Sequence, residues 1–344
     1  MNAPQETELG YELRQLVSDQ PFAPDIEAIG LRARKRHRRG IALRGATAAG
    51  VAAVAAVGVF TAVHTTGGAT AGTTASGQSA GISQQSSTVS SPLVTLAANI
   101  TANSHSQSGN ASLIIRTQTD GNIPPQVSYN LYTDGGAYYA GGDKRSLRQA
   151  VARHEDMADG ITATEVKTAL YAAAGNLASA REQMATVLPG DQWFFLTGAA
   201  QRAAWEKGAA QERVILKEKG IKTPLKMPTG KALQSIIDNR VWNNSVDALS
   251  AGGGNPQVRA GVLRLLSTIS AVTVAHSTSG GQPALTLTAG PEVFGGQGEQ
   301  VLTINAKTGM PIKSVEPANG NVPSSTDTFQ VSRVTLADIK AGRF

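Results

Sequence analysis

Residues 45–115 contain no Asp, Glu, Lys or Arg, in a chain of 344 residues that carries 31 Lys plus Arg and 25 Asp plus Glu. A folded surface in water does not stay uncharged for so long, so this stretch needs a different solvent or has no fold of its own. Its first part, residues 45–63, reads GATAAGVAAVAAVGVFTAV. As a helix it would rise about 28 Å at 1.5 Å per residue, close to the thickness of a bilayer's hydrocarbon core. One transmembrane helix is therefore expected over 45–63.

The span is rich in Ala and Val, with Phe60 as its one bulky side chain, so its flanks decide the reading. Seven bases precede it with no acid among them: Arg32, Arg34, Lys35, Arg36, Arg38, Arg39 and Arg44. A neutral Thr/Gly/Ser stretch follows. By the positive-inside rule the N-terminus faces the cytoplasm and the C-terminal bulk lies outside, at the cell membrane. A basic run can also bind nucleic acid or serve as a nuclear address, but beside an uncharged apolar 19-mer the topology reading is preferred and no nucleic-acid partner is expected. A secretory signal peptide with an A-x-A site at Ala69 and Ala71 is the closer competitor. Its 44-residue n-region would be far too long, which favours an uncleaved anchor.

The cytoplasmic tail, residues 1–44, places Leu9, Leu13, Leu16 and Val17 on one face of a short amphipathic helix. Pro21 and Pro24 end it, residues 25–33 can form a second short helix, and two helices of this size cannot build a core alone. Two readings stand side by side: a docking segment that folds on a cytosolic partner, or a frayed tail that only sets topology. Beyond the span, residues 64–92 are mostly Thr, Ser, Gly, Ala and Gln, with hardly a large apolar residue, the composition of a flexible linker.

From residue 93 to 344 the patterns are those of one extracytoplasmic domain. Residues 113–119 and 126–133 alternate like strands, and Asp134-Gly135-Gly136 turns into a third at 137–140. A helical middle follows. Thr162-x-x-Glu165 has the capping-box pattern, and an apolar stripe from Val166 to Leu188 predicts one helix that stops at Pro189-Gly190. Helices are expected over 199–219, 231–238 and 256–267, the last with Asn255 as N-cap and Pro256 at its first position. Strands resume at 272–276, 284–288, 300–305, 311–315 and 328–336, with Gly309 supplying a hairpin's positive φ. Hairpins flanking a helical centre predict an α+β fold with a strongly curved antiparallel sheet.

Two pieces, YNLYTDGGAYYAG (Tyr129 to Gly141) and VLTINAKTGMPIKSV (Val301 to Val315), resemble the paired hairpins of the half-barrel extracytoplasmic domains related to LolA, RseB and the mycobacterial LppX-type lipoproteins. With the tail and the Ala-rich span, the layout resembles actinobacterial single-pass membrane proteins often encoded beside extracytoplasmic-function sigma factors. The resemblance implies a curved half-barrel sheet with helices packed on one face, able to hold a lipid or a partner peptide, and a tail that can engage a sigma factor. The chain departs from the best-known anti-sigma pattern, because it lacks the His-x3-Cys-x2-Cys zinc motif.

Chemistry is hard to find. No cysteine is present, which excludes disulfides, thiolate metal sites and a lipobox anchor. The histidines, His37, His64, His105, His154 and His276, show no metal-ligand spacing. The adjacent His154, Glu155 and Asp156 read as a solvated helix face. No P-loop occurs. No catalytic residue, cofactor or metal is therefore expected, and the chain is read as a non-enzyme. The densest aromatic cluster, Trp193, Phe194 and Phe195, is core packing by default and a ligand-cavity wall as the alternative. The function expected is sensing or binding of an envelope component, coupled through the tail to a cytosolic sigma factor or regulator. Its alternative is a lipid- or wall-binding module without signalling.

Overall fold

The computed structural model describes residues 91–103, 108–121, 123–158, 160–218, 225–296, 298–319 and 323–344. The tail, the expected span and most of the linker, and with them Leu9, Leu13, Leu16, Val17 and the seven bases from Arg32 to Arg44, lie outside the described residues. Among those described, no helix is long and apolar enough to cross a membrane.

In chain order the elements are α1 (Pro92–Asn103), β1 (Ala111–Asp120), β2 (Gln126–Thr133), β3 (Tyr138–Gly141), α2 (Lys144–Ala152), α3 (Gly160–Ala174), α4 (Leu177–Ala185), a 3-10 turn (Asp191–Phe195), α5 (Gly198–Glu218), α6 (Gly230–Gly252), α7 (Pro256–Leu266), β4 (Val272–Ser279), β5 (Gln282–Ala289), β6 (Gln300–Asn305), β7 (Pro311–Glu316), β8 (Ser325–Val334) and α8 (Leu336–Lys340). The fold is α+β. One eight-stranded open sheet runs in the order β3-β2-β1-β8-β7-β6-β5-β4, every neighbouring pair antiparallel. Two meanders, β1–β3 and β4–β8, join at a single seam between β1 and β8, in register from Ala111↔Val334 to Asp120↔Ser325.

Strand alternation sends side chains to two faces. On one face Tyr132, Leu285, Leu287, Leu302 and Ile304 meet the buried sides of α1, α3, α4, α6 and α7 in the larger core. On the other, Leu113, Leu131 and Tyr139 meet Leu147 and Val151 of α2 and Ile339 of α8 in a smaller one. The larger helical layer is thus on one side, and α2 with α8 covers only the β1–β3 end of the other.

Buried donors lock that helical layer by satisfying the carbonyls that every helix leaves open at its C-terminus. Arg264 donates to Ala173 O at 2.7 Å, at the last turn of α3. Asn244 Nδ2 donates to Met184 O at 2.6 Å, at the end of α4. Arg259 donates to Gly253 O and Gly254 O, at 2.7 and 3.1 Å, just past α6. At Gly261 the α7 backbone lies directly against the Ala169 carbonyl of α3, and a Cβ there would overlap that oxygen.

Several sequence expectations change here. The stripe from Val166 to Leu188 is two helices, because the α3 backbone ends at Gly175 and Asn176 starts a new helix by accepting from Ser179 N at 3.1 Å. Thr162 lies inside α3 and is no cap, and Glu165 is buried. His154, Glu155 and Asp156 follow α2 in a turn, where His154 has φ 56° and Asp156 accepts from the backbone of Tyr138 and Ala158. The helix predicted over 231–238 extends to Gly252. The Asn255 cap and Gly309 turn are present, with Asn255 accepting from Gln257 N at 2.9 Å and Gly309 at φ 67°.

Candidate functional site

β1 reads ASLIIRTQTD, and its alternate residues Ser112, Ile114, Arg116, Gln118 and Asp120 share the face toward the larger helical layer. The register places Arg333, Val331, Phe329, Asp327 and Ser325 of β8 opposite them, and Ser314 and Glu316 of β7 opposite Asp327 and Ser325. Toward β5 and β6 this face is apolar and enters the larger core, whereas on β2 Tyr132 enters that core and Asn130, Ser128 and Gln126 continue the polar face. None of residues 115–120 or 325–331 belongs to either core. Ile114 is buried, whereas Arg116, Gln118, Asp120, Phe329 and Val331 are half-buried, so the middle of the sheet presents an amphipathic strip.

A hydrogen-bonded belt on β1 and β8, flanked by smaller polar groups on the neighbouring strands, holds the polar part of that strip. Arg116 Nε donates to Asp327 Oδ1 at 2.7 Å, and a second Arg116 nitrogen donates to Gln118 Oε1. Gln118 Nε2 donates to Asp120 Oδ2 at 2.5 Å, and Ser325 Oγ donates to Asp120 Oδ1 at 2.5 Å. On the neighbouring strands Gln300 Nε2 donates to Ser314 Oγ at 3.3 Å and to Glu316 Oε1 at 3.1 Å. The buried Trp242 of α6 donates its indole N–H to Gln300 Oε1 at 2.5 Å, tying β6 to the helix. Tyr138 OH donates to Asn130 Oδ1 at 2.7 Å on the β2 side. Such a strip offers fixed donors and acceptors beside Phe329 and Val331, the combination that orients a ligand with polar and apolar parts.

The helical layer buries charge as well. Arg181 pairs with Asp238 and donates to Thr268 Oγ1 at 2.6 Å. Arg240 Nε lies 2.8 Å from Asp191 Oδ2, yet neither atom makes an aligned hydrogen bond. Burial outweighs the attraction of Arg240, pushing the Asp191 carboxyl up to about 6 while the Arg240 charge and hydrogen bonding pull the other way. Among the described residues no group of three or more His, Asp or Glu converges as metal ligands would.

The aromatic cluster is divided by the 3-10 turn. Phe194 is buried in the larger core and Trp193 packs against that core, with its ring 4.9 Å edge-on from that of Phe194. Phe195 is exposed beside the exposed Leu196. The belt residues escaped the sequence reading because R-T-Q-T-D and S-T-D-T-F are polar on both faces of their strands; their alternation in two segments was the available signal. Buried Asp238, Arg240 and Arg259 carried no such signal, since charges on predicted helices read as solvated. No protein-family model matches the chain, and no curated protein matches it in sequence.

Proposed function

We propose that the chain is a non-enzymatic, single-pass membrane protein whose extracytoplasmic α+β domain binds an envelope component and reports it through the tail to a cytosolic sigma factor or regulator. The observation that carries this reading is the layout. An amphipathic tail segment and seven bases precede one uncharged 19-residue apolar stretch, and a separate domain with a half-buried amphipathic sheet face follows. The resemblance to LolA-, RseB- and LppX-like domains supports a half-barrel curvature of that sheet and a lipid or peptide as its ligand. The belt from Asp120 to Arg116 and Asp327 would then orient the polar end of the ligand, and Phe329, Val331 and Ile114 would take the apolar end.

The test is a pull-down from membrane extract with the full-length protein beside a version lacking residues 1–30. A sigma factor or other regulator recovered only with the intact tail supports the proposal. Identical recovery by both versions sinks the signalling role and leaves an envelope-binding module.

A further inference from the structure

Two arginines lie on the helix-facing side of the sheet, at the end of the β1–β8 seam away from Asp120. Arg259 of α7 is 3% exposed. Its acceptors are all neutral carbonyls: Thr308 O at 2.7 Å, Gly253 O at 2.7 Å and Gly254 O at 3.1 Å. Arg333 of β8 has a side chain only 10% exposed. One of its terminal nitrogens meets the Asp134 carboxylate, whereas the other, Nη1, is buried and has no hydrogen-bond partner.

The backbone brings the two guanidinium groups to one place. Gly254, whose carbonyl Arg259 holds, packs so closely on Ser112 that a Cβ would stand 2.8 Å from Ser112 Oγ. Ser112 is the residue opposite Arg333 across the seam, and such facing side chains are about 5 Å apart at Cβ. From the other side the chain at Gly109 closes on the Arg333 stem, where a Cβ would meet Cγ at 3.0 Å. Burial, and then the Arg333 charge, lower the Arg259 pKa to about 10. Among the described residues the carboxylate that meets the pair is Asp134, whose side chain is 45% exposed and marks the side open to solvent.

A buried guanidinium nitrogen without an acceptor, beside a second buried cation without a counter-charge, lacks what buried charges require. We infer that the Arg259–Arg333 pair is a binding site for an oxyanion, a phosphate or comparable group whose oxygens accept from Arg333 Nη1 and neutralise the pair. Arginine forks suit such groups because their planar donors match oxyanion geometry. The oxyanion is either free or borne on a lipid headgroup. The site is separate from the amphipathic belt and stands or falls independently of the function proposed above.

The experiment follows thermal unfolding of the full chain in detergent at fixed ionic strength, with chloride replaced stepwise by inorganic phosphate or by dihexanoyl phosphatidic acid. Wild type is expected to gain several degrees along a saturating curve, Arg333→Gln to gain nothing, and Asp134→Asn to half-saturate at about tenfold lower phosphate, since a competing carboxylate is gone. Protection by phosphate alone identifies a free oxyanion, and protection by the lipid at far lower concentration identifies a headgroup; both support the site. Equal shifts in wild type and Arg333→Gln would overturn it. Should Arg333→Gln fail to fold, an unchanged half-saturation in Asp134→Asn overturns it equally.

Discussion

Replacing Asp191 by asparagine isolates a competition between burial and ion pairing. Asp191 opens the 3-10 turn with its side chain 13% exposed, against an Arg240 side chain that is 9% exposed. Burial moves its pKa from 3.8 to about 6, so the folded protein holds this proton more tightly than the unfolded chain does. The associated stability is complete only well below the unfolded value of 3.8 and is lost as pH rises through about 6. A rise of roughly two units corresponds to about 3 kcal/mol at 1.36 kcal/mol per unit. The Asp191→Asn variant cannot titrate, and whatever constant cost it incurs by removing Arg240's counter-charge drops out when pH values are compared. Urea unfolding of both proteins at pH 4, 5, 6 and 7, followed by tryptophan fluorescence, should therefore show the wild type losing about 2 kcal/mol relative to the variant across that range. A flat difference would remove burial as the dominant effect. A wild type that gains on the variant as pH rises would show that the Arg240 attraction wins, and would refute the reasoning.

Gly261→Ala should destabilise the domain by about 3 kcal/mol or more, because the new methyl would overlap the Ala169 carbonyl and backbone cannot step aside cheaply. Gly208→Ala on α5, where a Cβ meets nothing within 4 Å, should instead stabilise by about 0.5–1 kcal/mol; thermal melts of the two variants should move in opposite directions. Asn255→Ala removes the cap that accepts from Gln257 N and should cost about 1 kcal/mol in denaturant titrations. A double-mutant cycle with Arg116→Met and Asp327→Asn should return a coupling of about 1–2 kcal/mol for the 2.7 Å pair, and zero coupling would mean that the belt is not a cooperative unit.

What could be read from the sequence follows the range of the interactions. β2, β6 and the start of α7 are specified by alternation and by a cap two residues away, and they lie where expected. The Val166–Leu188 stripe misled because helical periodicity runs on across Gly175, while the break is made by the Asn176 side chain. Most of α6 was missed because Arg240, Asn244 and Ser245 are buried alongside Val241, Trp242 and Leu249, so no polar face marks its second half. α1 went unseen because it begins at Pro92, inside the uncharged stretch, and its Leu93, Leu96 and Ile100 stripe is short. The belt and the arginine pair depend on which strands lie side by side, and nothing local to β1 announces that β8 is its neighbour. Sequence alone found the aromatic triplet and left out the strand residues with the richer set of polar contacts.

The β1–β8 seam has a consequence in time. Its partners are far apart in the chain, Arg116 and Asp327 being separated by 211 residues, and the two meanders meet nowhere else in the sheet. At a synthesis rate of about 5–20 residues per second, β1 waits roughly 10–40 s before β8 exists to pair with it. Through that interval one edge of β1, with its open backbone donors and acceptors, is available to any other strand that reaches it. Long-range closure of this kind is slow and exposed to aggregation. The nascent chain thus has a window in which that edge stays open to wrong pairing unless a chaperone covers it.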